Sequence, residues 1–346
     1  MELNNPWYGK SVLITGACGT VGRELLRQVH AQGPQRIVGL DNNESELFFL
    51  SEEYRDDDTV QFYLGDVRDR EKLIEAMRGI DIVLHSAALK HVILCEQSPR
   101  DAVQTNIQGV QNVIDAATIN QVERVLFTSS DKAVNPTNVM GTSKLMGERL
   151  ITAANAHRRG AGPVFASTRF GNVLGSRGSV IPLFKKQIAQ GGPVTLTDPR
   201  MTRFIMTLQE AVRLVMDSTF LARGGEVFVT KMQVACIADL AQVMIRELAA
   251  SVGHEPDAIE IKVIGSKPGE KLYEELMNDE ETRRTVELPK YFVVLPAFKS
   301  IYEEIDYTYP GAIAQQVDRP YNSSVEPAMT AEELADFLTR NHLMEE

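Results

Sequence analysis

The feature that most constrains this chain of 346 residues is a rhythm in its first half. Short apolar runs, Ser11–Thr15, Arg36–Leu40, Val60–Leu64, Ile82–His85 and Val125–Thr128, alternate with longer amphipathic segments. The runs are rich in Val, Ile and Leu and do not alternate with polar residues, the pattern of strands buried on both faces of a parallel sheet. Between them Val21–Gln32, Glu44–Glu53, Asp69–Met77 and Asp101–Asn120 carry helical periodicity. Strand–helix alternation with right-handed crossovers implies an α/β, Rossmann-type doubly wound parallel sheet. A sixth strand is expected at Val164–Arg169 and a seventh at Glu226–Thr230. Past residue 172 the rhythm breaks at the Gly- and Pro-bearing loops Gly171–Gly178, Gly191–Pro199 and Lys267–Gly269. The expected division is a core over residues 1–170, with strands continuing at 226–230, interleaved with a smaller α/β substrate-binding region over 171–346. Tyr302–Val325 reads as irregular structure before a last helix at Ala331–Arg340.

Charge narrows the partners. A net charge of -11 argues against a general nucleic-acid binder, which needs a basic footprint to displace counterions. Three widely spaced cysteines (Cys18, Cys95 and Cys236) form no metal pattern and suit a reducing compartment. No apolar run approaches the roughly 20 residues of a membrane span. The first residues show neither a basic n-region nor an apolar h-region, so a cytoplasmic protein without membrane attachment is expected.

Gly16, Gly19 and Gly22 follow the first strand and open a helix at Thr20 and Val21. A pyrophosphate needs that arrangement: a tight turn, close backbone approach, and a helix N-terminus whose free N–H groups attract anions. The next strand ends at Asp41 and Asn42. A carboxylate there accepts hydrogen bonds from ribose hydroxyls and repels a 2′-phosphate, which makes NAD the expected cofactor rather than NADP. Asp66 and Val67 close the third strand and suit the adenine. Ala87 and Ala88 follow the fourth, where small side chains let a dinucleotide lie against the backbone.

The densest stretch is Ser-Asp-Lys-Ala-Val-Asn-Pro-Thr-Asn-Val-Met-Gly-Thr-Ser-Lys over residues 130–144. Its first part ends strand five at the carboxyl edge of the sheet, and its second begins a helix with Met140 and Lys144 one turn apart. Further on stand Arg-Phe-Gly-Asn-Val-Leu-Gly-Ser-Arg-Gly-Ser-Val (169–180), Met-Thr-Arg-Phe-Ile-Met-Thr (201–207) and Lys-Pro-Gly-Glu-Lys-Leu (267–272). With these four motifs in order, the chain resembles an extended short-chain dehydrogenase/reductase. Within that superfamily it is similar to bacterial UDP-N-acetylglucosamine 4,6-dehydratases of polysaccharide biosynthesis.

The resemblance departs at one position. Superfamily members usually carry Tyr-x-x-x-Lys, whose tyrosine removes a proton from a sugar hydroxyl. Here Met140 stands in its place, and a thioether is no base. The Met-x-x-x-Lys form resembles a subgroup that retains configuration at C5. Members of that subgroup are often long membrane proteins, whereas a short soluble form is expected here.

In the scheme that the resemblance implies, the cofactor takes hydride from C4 and the new ketone acidifies the C5 proton. A base removes that proton, an acid protonates the departing C6 hydroxyl, and hydride returns to C6. Proton transfer then falls to Ser130, Asp131, Lys132 and Lys144. Asp131 and Lys132 are adjacent groups of opposite charge that suit an acid/base pair, with the division between them left open. Ser130 is assigned to the C4 oxygen, and Lys144 to the nicotinamide ribose and the developing alkoxide.

Asn172, Arg177 and Arg203 are candidates for the diphosphate or sugar, since a guanidinium fork matches phosphate oxygens. Lys267 is a weaker point-charge candidate, Glu274 a candidate for nucleotide ribose hydroxyls, and Lys90 faces the sugar. No metal site is expected. The resemblance further implies a homo-oligomer, a dimer or dimer-based assembly, acting on a UDP-sugar. Two alternatives share the cofactor: an NAD-dependent sugar 4-epimerase, which has no need of an elimination pair, and a non-catalytic NAD-sensing protein, which Met140 would suit.

Overall fold

The structure, a computed structural model, describes residues 5–157, 162–176, 179–265, 269–298 and 305–345. Its strands are β1 (Ser11–Thr15), β2 (Arg36–Asp41), β3 (Val60–Leu64), β4 (Ile82–His85), β5 (Arg124–Thr128), β6 (Val164–Arg169), β7 (Asn172–Val173) and β8 (Val194–Leu196). The second half adds β9 (Thr202–Met206), β10 (Val227–Thr230), β11 (Gln233–Cys236), β12 (Ile261–Val263), β13 (Glu275–Met277), β14 (Thr285–Glu287), β15 (Tyr291–Val294) and β16 (Tyr321–Asn322). Nine of them form one sheet in the order β14-β15-β10-β6-β5-β4-β1-β2-β3. From β3 to β10 every pairing is parallel, and β15 and β14 then add an antiparallel hairpin at the edge.

Two apolar layers explain why the strands read as unbroken hydrophobic runs. Val12 and Ile14 of β1 face one layer, packed on Leu25, Leu26 and Val29 of helix Thr20–His30 and on Val212 and Val215 of helix Leu208–Leu221. Leu13 faces the other, packed on Leu73 of helix Arg70–Ala76 and on Val110 and Val113 of helix Gly109–Ile119. Each such fully buried side chain contributes roughly 1.5–3 kcal/mol by leaving water. A separate apolar cluster joins helices Val180–Ala189, Ile237–Leu248 and Ala331–Arg340 around Phe184, Leu240, Met244 and Leu334.

Two features differ from the sequence reading. The expected helix Asp101–Asn120 is interrupted: helix Pro99–Val103 passes through a π-helical turn at Gln104–Gln108 before helix Gly109–Ile119. The wide turn aims the Asn106 amide at the loop after β4. There it donates to the Leu89 carbonyl (2.9 Å) and accepts from the Leu89 N–H (2.8 Å), and it also donates to Ser143 Oγ (2.9 Å). The β14/β15 hairpin was not anticipated. It brings a late stretch of chain back to the main sheet. The sheet order reverses between β1 and β4, so the carboxyl ends of those strands open the crevice where ligands bind in such folds.

Candidate active site

The carboxyl ends of β1, β2, β3 and β4 gather the residues expected to hold a dinucleotide. Gly16 has φ +72°, and a Cβ added there would lie 2.8 Å from the backbone N and Cα of Ala87. The glycine loop thus touches the strand-four segment, backbone against backbone, as a crevice for a pyrophosphate requires. Gly19 caps helix Thr20–His30 without a side-chain hydrogen bond, which leaves the first N–H groups at Thr20, Val21 and Gly22 for an anion. Asp41 accepts from the Cys18 N–H and from the Asn43 N–H, both at 2.9 Å, and so is fixed at the mouth of the loop. Val67 is buried, Ala87 and Ala88 are half-buried, and Lys90 is exposed.

Asp66 is more committed than the sequence suggested. Arg68 donates to both of its oxygens, and Asn42 adds a hydrogen bond at 3.2 Å. The Arg68 guanidinium holds the carboxyl down at about 2. An adenine amino group at this carboxylate must share it with that fork.

The second half of the site hangs on the end of β5. Ser130 caps the short turn Asp131–Ala133, and helix Val139–Ala154 begins after Asn138, whose side chain accepts from the Gly141 N–H (2.8 Å). A Cβ on Gly141 would lie 2.2 Å from the Lys132 carbonyl oxygen, so only glycine lets the helix press against the turn. Segment 269–275 clamps the other side. Thr137 and Asn138 donate to the Gly269 carbonyl (3.2 Å each), Lys271 donates to the Val134 carbonyl (2.8 Å), and Asn135 reaches Glu275 (3.1 Å) from a left-handed φ of +44°.

Inside this clamp Lys132 sits between two carboxylates. Its Nζ donates to Asp131 Oδ1 at 3.1 Å and to Glu274 Oε1 at 3.3 Å. Asp131 and Glu274 are buried, at 1% and 3% exposure, whereas the Lys132 side chain keeps 27%. Ser130 Oγ donates to Asp131 Oδ1 at 2.6 Å. Asp131 Oδ2 and Glu274 Oε2 are buried and find no hydrogen-bond partner among the described residues. Burial works against the Lys132 charge, but Asp131 and Glu274 overcome it and raise the amine above its ordinary value. Glu274 is raised as well, first by burial and then by the charge of Asp131.

Met140 and Lys144 lie one turn apart on helix Val139–Ala154. Met140 is buried with Cys95 and Ala102, an apolar role. Lys144 Nζ donates to the Thr128 carbonyl (2.9 Å) and lies 4.6 Å from the centroid of the Phe127 ring. Burial brings its amine down to about 8, against the pull of Glu148. Phe127 also stacks on His85, whose Nδ1 lies 2.7 Å from Thr15 Oγ1 and whose ring burial holds at about 3, hence neutral.

Of the residues expected on the substrate side, Glu274 moves furthest from its reading. Carried at the head of β13, it joins the Asp131–Lys132 pair rather than standing apart. Arg203 in β9 is buried, and its fork is spent within the protein. It donates to the carbonyls of Thr202 (2.8 Å), Lys271 (2.8 Å) and Leu272 (3.2 Å), and its Nε lies 3.6 Å from Glu274 Oε1. That geometry corrects the expectation of a phosphate fork at this position. Asn172 is half-buried in β7, paired with Ile205 of β9. Arg177 and Lys267 lie outside the described residues.

Sequence reasoning also missed a buried ion cluster behind the site. Arg169, at the end of β6, donates all five of its N–H groups: to both oxygens of Glu148, to both oxygens of Glu281 and to the Leu276 carbonyl, at 2.7–3.1 Å. One signal was available, since Glu148 falls one helical turn beyond Lys144. Among the described residues no group of His, Cys, Asp and Glu is placed to hold a metal ion, and no helix is long and apolar enough to cross a membrane.

The profile of the polysaccharide biosynthesis protein family matches residues 12–296. The chain belongs to this family. It is an extended short-chain dehydrogenase/reductase of the nucleotide-sugar dehydratase and epimerase group. It is 37% identical over 341 residues to a UDP-N-acetylglucosamine 4,6-dehydratase (inverting) of Campylobacter jejuni, covering 96% of this chain and 98% of that one. It is 36% identical over 345 residues to a UDP-glucose 4-epimerase of Rickettsia canadensis, covering 97% and 98%. Among solved structures, Pen from Bacillus thuringiensis superposes with a TM-score of 0.88 at 40% identity over 96% of this chain and 98% of that one. The Campylobacter relative is named inverting, so it lends no support to the retaining subgroup that Met140 brings to mind.

Proposed function

We propose that this family member is an NAD-dependent 4,6-dehydratase acting on UDP-N-acetylglucosamine. One observation carries the reading: a part-exposed lysine, Lys132, is held between two buried carboxylates at the carboxyl edge of the sheet, in a site with no tyrosine opposite Lys144. The crevice suits a dinucleotide because the Gly16–Ala87 contact leaves backbone alone against it, and Asp41 is fixed where ribose hydroxyls would arrive. NAD, when bound there, supplies the acceptor for the C4 hydride and returns that hydride to C6.

The chain's own groups handle protons and charge. Lys144, with an amine at about 8, places a cation or a neutral base at the foot of the site and favours the C4 alkoxide over the alcohol. Ser130 binds the C4 or C5 edge of the sugar, with Asp131 behind it at 2.6 Å. Of the charged groups in this cluster Lys132 is the one that reaches solvent, so it meets the departing C6 hydroxyl. Arg203 acts from behind, locking segment 271–274 onto β9.

A second reading, a sugar 4-epimerase, is favoured by the likeness to the Rickettsia enzyme. It returns hydride to C4 and needs no elimination pair. Incubation with UDP-N-acetylglucosamine in heavy water, read by mass spectrometry, separates the two. A product lighter by one water and carrying deuterium at C5 is expected. A C4 epimer of unchanged mass would establish the epimerase, and no turnover with NAD bound would indicate a sensor.

A further inference from the structure

This inference rests on the dehydratase reading. Dehydration hands two protons to the protein, from the C4 hydroxyl and from C5, and takes two back, one for the departing C6 hydroxyl and one for C5. With Met140 standing where the usual Tyr-x-x-x-Lys tyrosine would be, other groups must hold them. Lys132 alone is a poor donor, because two carboxylates bind its proton. Each of those carboxylates leaves one buried oxygen without a donor among the described residues. Two bare, buried anionic oxygens in one cluster are costly, and a proton on one of them removes much of that cost. Glu274 is the better seat. Asp131 Oδ1 already accepts from Ser130 Oγ, the Lys132 N–H and Lys132 Nζ, while Glu274 accepts from Lys132 Nζ at 3.3 Å with Arg203 Nε 3.6 Å away. Burial and the neighbouring Asp131 charge raise Glu274 in the same direction.

We propose that Glu274 is a positioning residue for elimination: a buried, protonated carboxyl that backs Lys132 and replaces the proton Lys132 gives to the substrate. In the step itself the C5–H electron pair forms the C5–C6 double bond and the C6–O bond breaks. The hydroxyl leaves as water with the Lys132 proton, and the Glu274 proton passes to the Lys132 amine. The C5 proton goes to Ser130 Oγ as the serine proton passes to Asp131; the part-exposed hydroxyl exchanges with solvent, and Ser130 Oγ delivers a solvent-derived proton to C5 when hydride reaches C6. The C4 hydroxyl proton leaves earlier, to a neutral Lys144 amine that releases it before the next cycle, and Glu274 takes up a solvent proton through the part-exposed Lys132 once product has formed. Two relays thus face the sugar, Ser130 backed by Asp131 and Lys132 backed by Glu274.

The wild-type holoenzyme is assayed first. Failure to dehydrate UDP-N-acetylglucosamine removes both the function and this inference, whereas dehydration leaves Glu274 to be tested alone. In Glu274→Gln, kcat is expected to fall about 100-fold with KM nearly unchanged, the size of a lost proton-transfer group. C4 oxidation continues in that variant, so reduced cofactor builds up and is read by its absorbance. Glu274→Asp, which restores a carboxyl, recovers part of kcat. An unchanged kcat, or a raised KM with kcat intact as a ribose contact would give, overturns the proposal. A second readout needs no variant: infrared difference spectra of the wild-type holoenzyme should show a buried protonated-carboxyl band altered by substrate. Absence of that band overturns the proposal even if Glu274→Gln does not fold.

Discussion

Two clusters in this molecule have the same composition and opposite finish. In each, one cation lies between two carboxylates: Arg169 between Glu148 and Glu281, and Lys132 between Asp131 and Glu274. Around Arg169 every guanidinium N–H is donated, and the side chains are exposed by no more than 3%. Around Lys132 two carboxylate oxygens stay unpartnered among the described residues, and the lysine keeps 27% of its exposure. A planar, always-charged fork suits a permanent joint, and an ammonium on a flexible stem suits a group that must lose a proton. The closed cluster ties β6, helix Val139–Ala154 and the start of helix Asp279–Thr282 into one block. The open cluster sits on that block and retains unmet hydrogen-bonding capacity for chemistry.

The largest expected effect lies in the open cluster. Lys132→Ala should lower turnover by about 1,000-fold or more while NAD binding, followed by calorimetry, stays within a few-fold of wild type. Wild-type-like turnover in this variant would take Lys132 out of the mechanism and erase the contrast. The closed cluster is expected to respond in stability instead. Arg169→Met leaves two carboxylates buried without their partner and should cost about 3–5 kcal/mol in urea unfolding. A loss under about 1 kcal/mol would show that Arg169 is no keystone.

Lys144, one turn before Glu148 of the closed cluster on helix Val139–Ala154, sharpens the comparison through pH. Its amine releases its proton near 8 in the folded chain and near 10.5 when unfolded. Between those values the unfolded chain binds more protons, so stability rises with pH across that window. The difference between wild type and Lys144→Met should therefore grow in favour of wild type from pH 8 to 10.5, by up to roughly 3 kcal/mol. A difference that is flat with pH would contradict the lowered amine. The smallest effect is expected at Asp41, outside both clusters. Asp41→Asn should weaken NAD about tenfold, or ~1.4 kcal/mol, and narrow its preference over NADP.

How far the sequence disclosed this arrangement follows from the range of each interaction. β1, β4 and β6 fall on the expected residues, because a two-sided buried strand writes its burial into every residue of the run, and the edge strand β3, buried only at Val60, still falls on its apolar run. The glycine loop was legible for a similar reason, since a turn of that kind is set within a few residues. Glu274 was singled out, but not its place beside Lys132, which it reaches across 142 positions through a clamp of backbone carbonyls. Separations of 68 and 69 positions hid the Lys271 and Leu272 carbonyls that hold Arg203, a buried arginine whose sequence surroundings suggest an open turn. Asn106 gave no local signal, because its function depends on a π-helical turn inside a segment of ordinary helical periodicity. The β14/β15 hairpin is three and four residues per strand, too short for a period to show.

The central claim is that hydride leaves C4 and returns to C6 while Lys132 and its carboxylates move the protons. The most direct measurement uses UDP-N-acetylglucosamine deuterated at C4, with the product analysed by NMR. Deuterium at C6 of a 4-keto-6-deoxy sugar is the expected result. Deuterium back at C4, in a sugar that keeps its C6 hydroxyl, would contradict the dehydratase and leave the epimerase in its place.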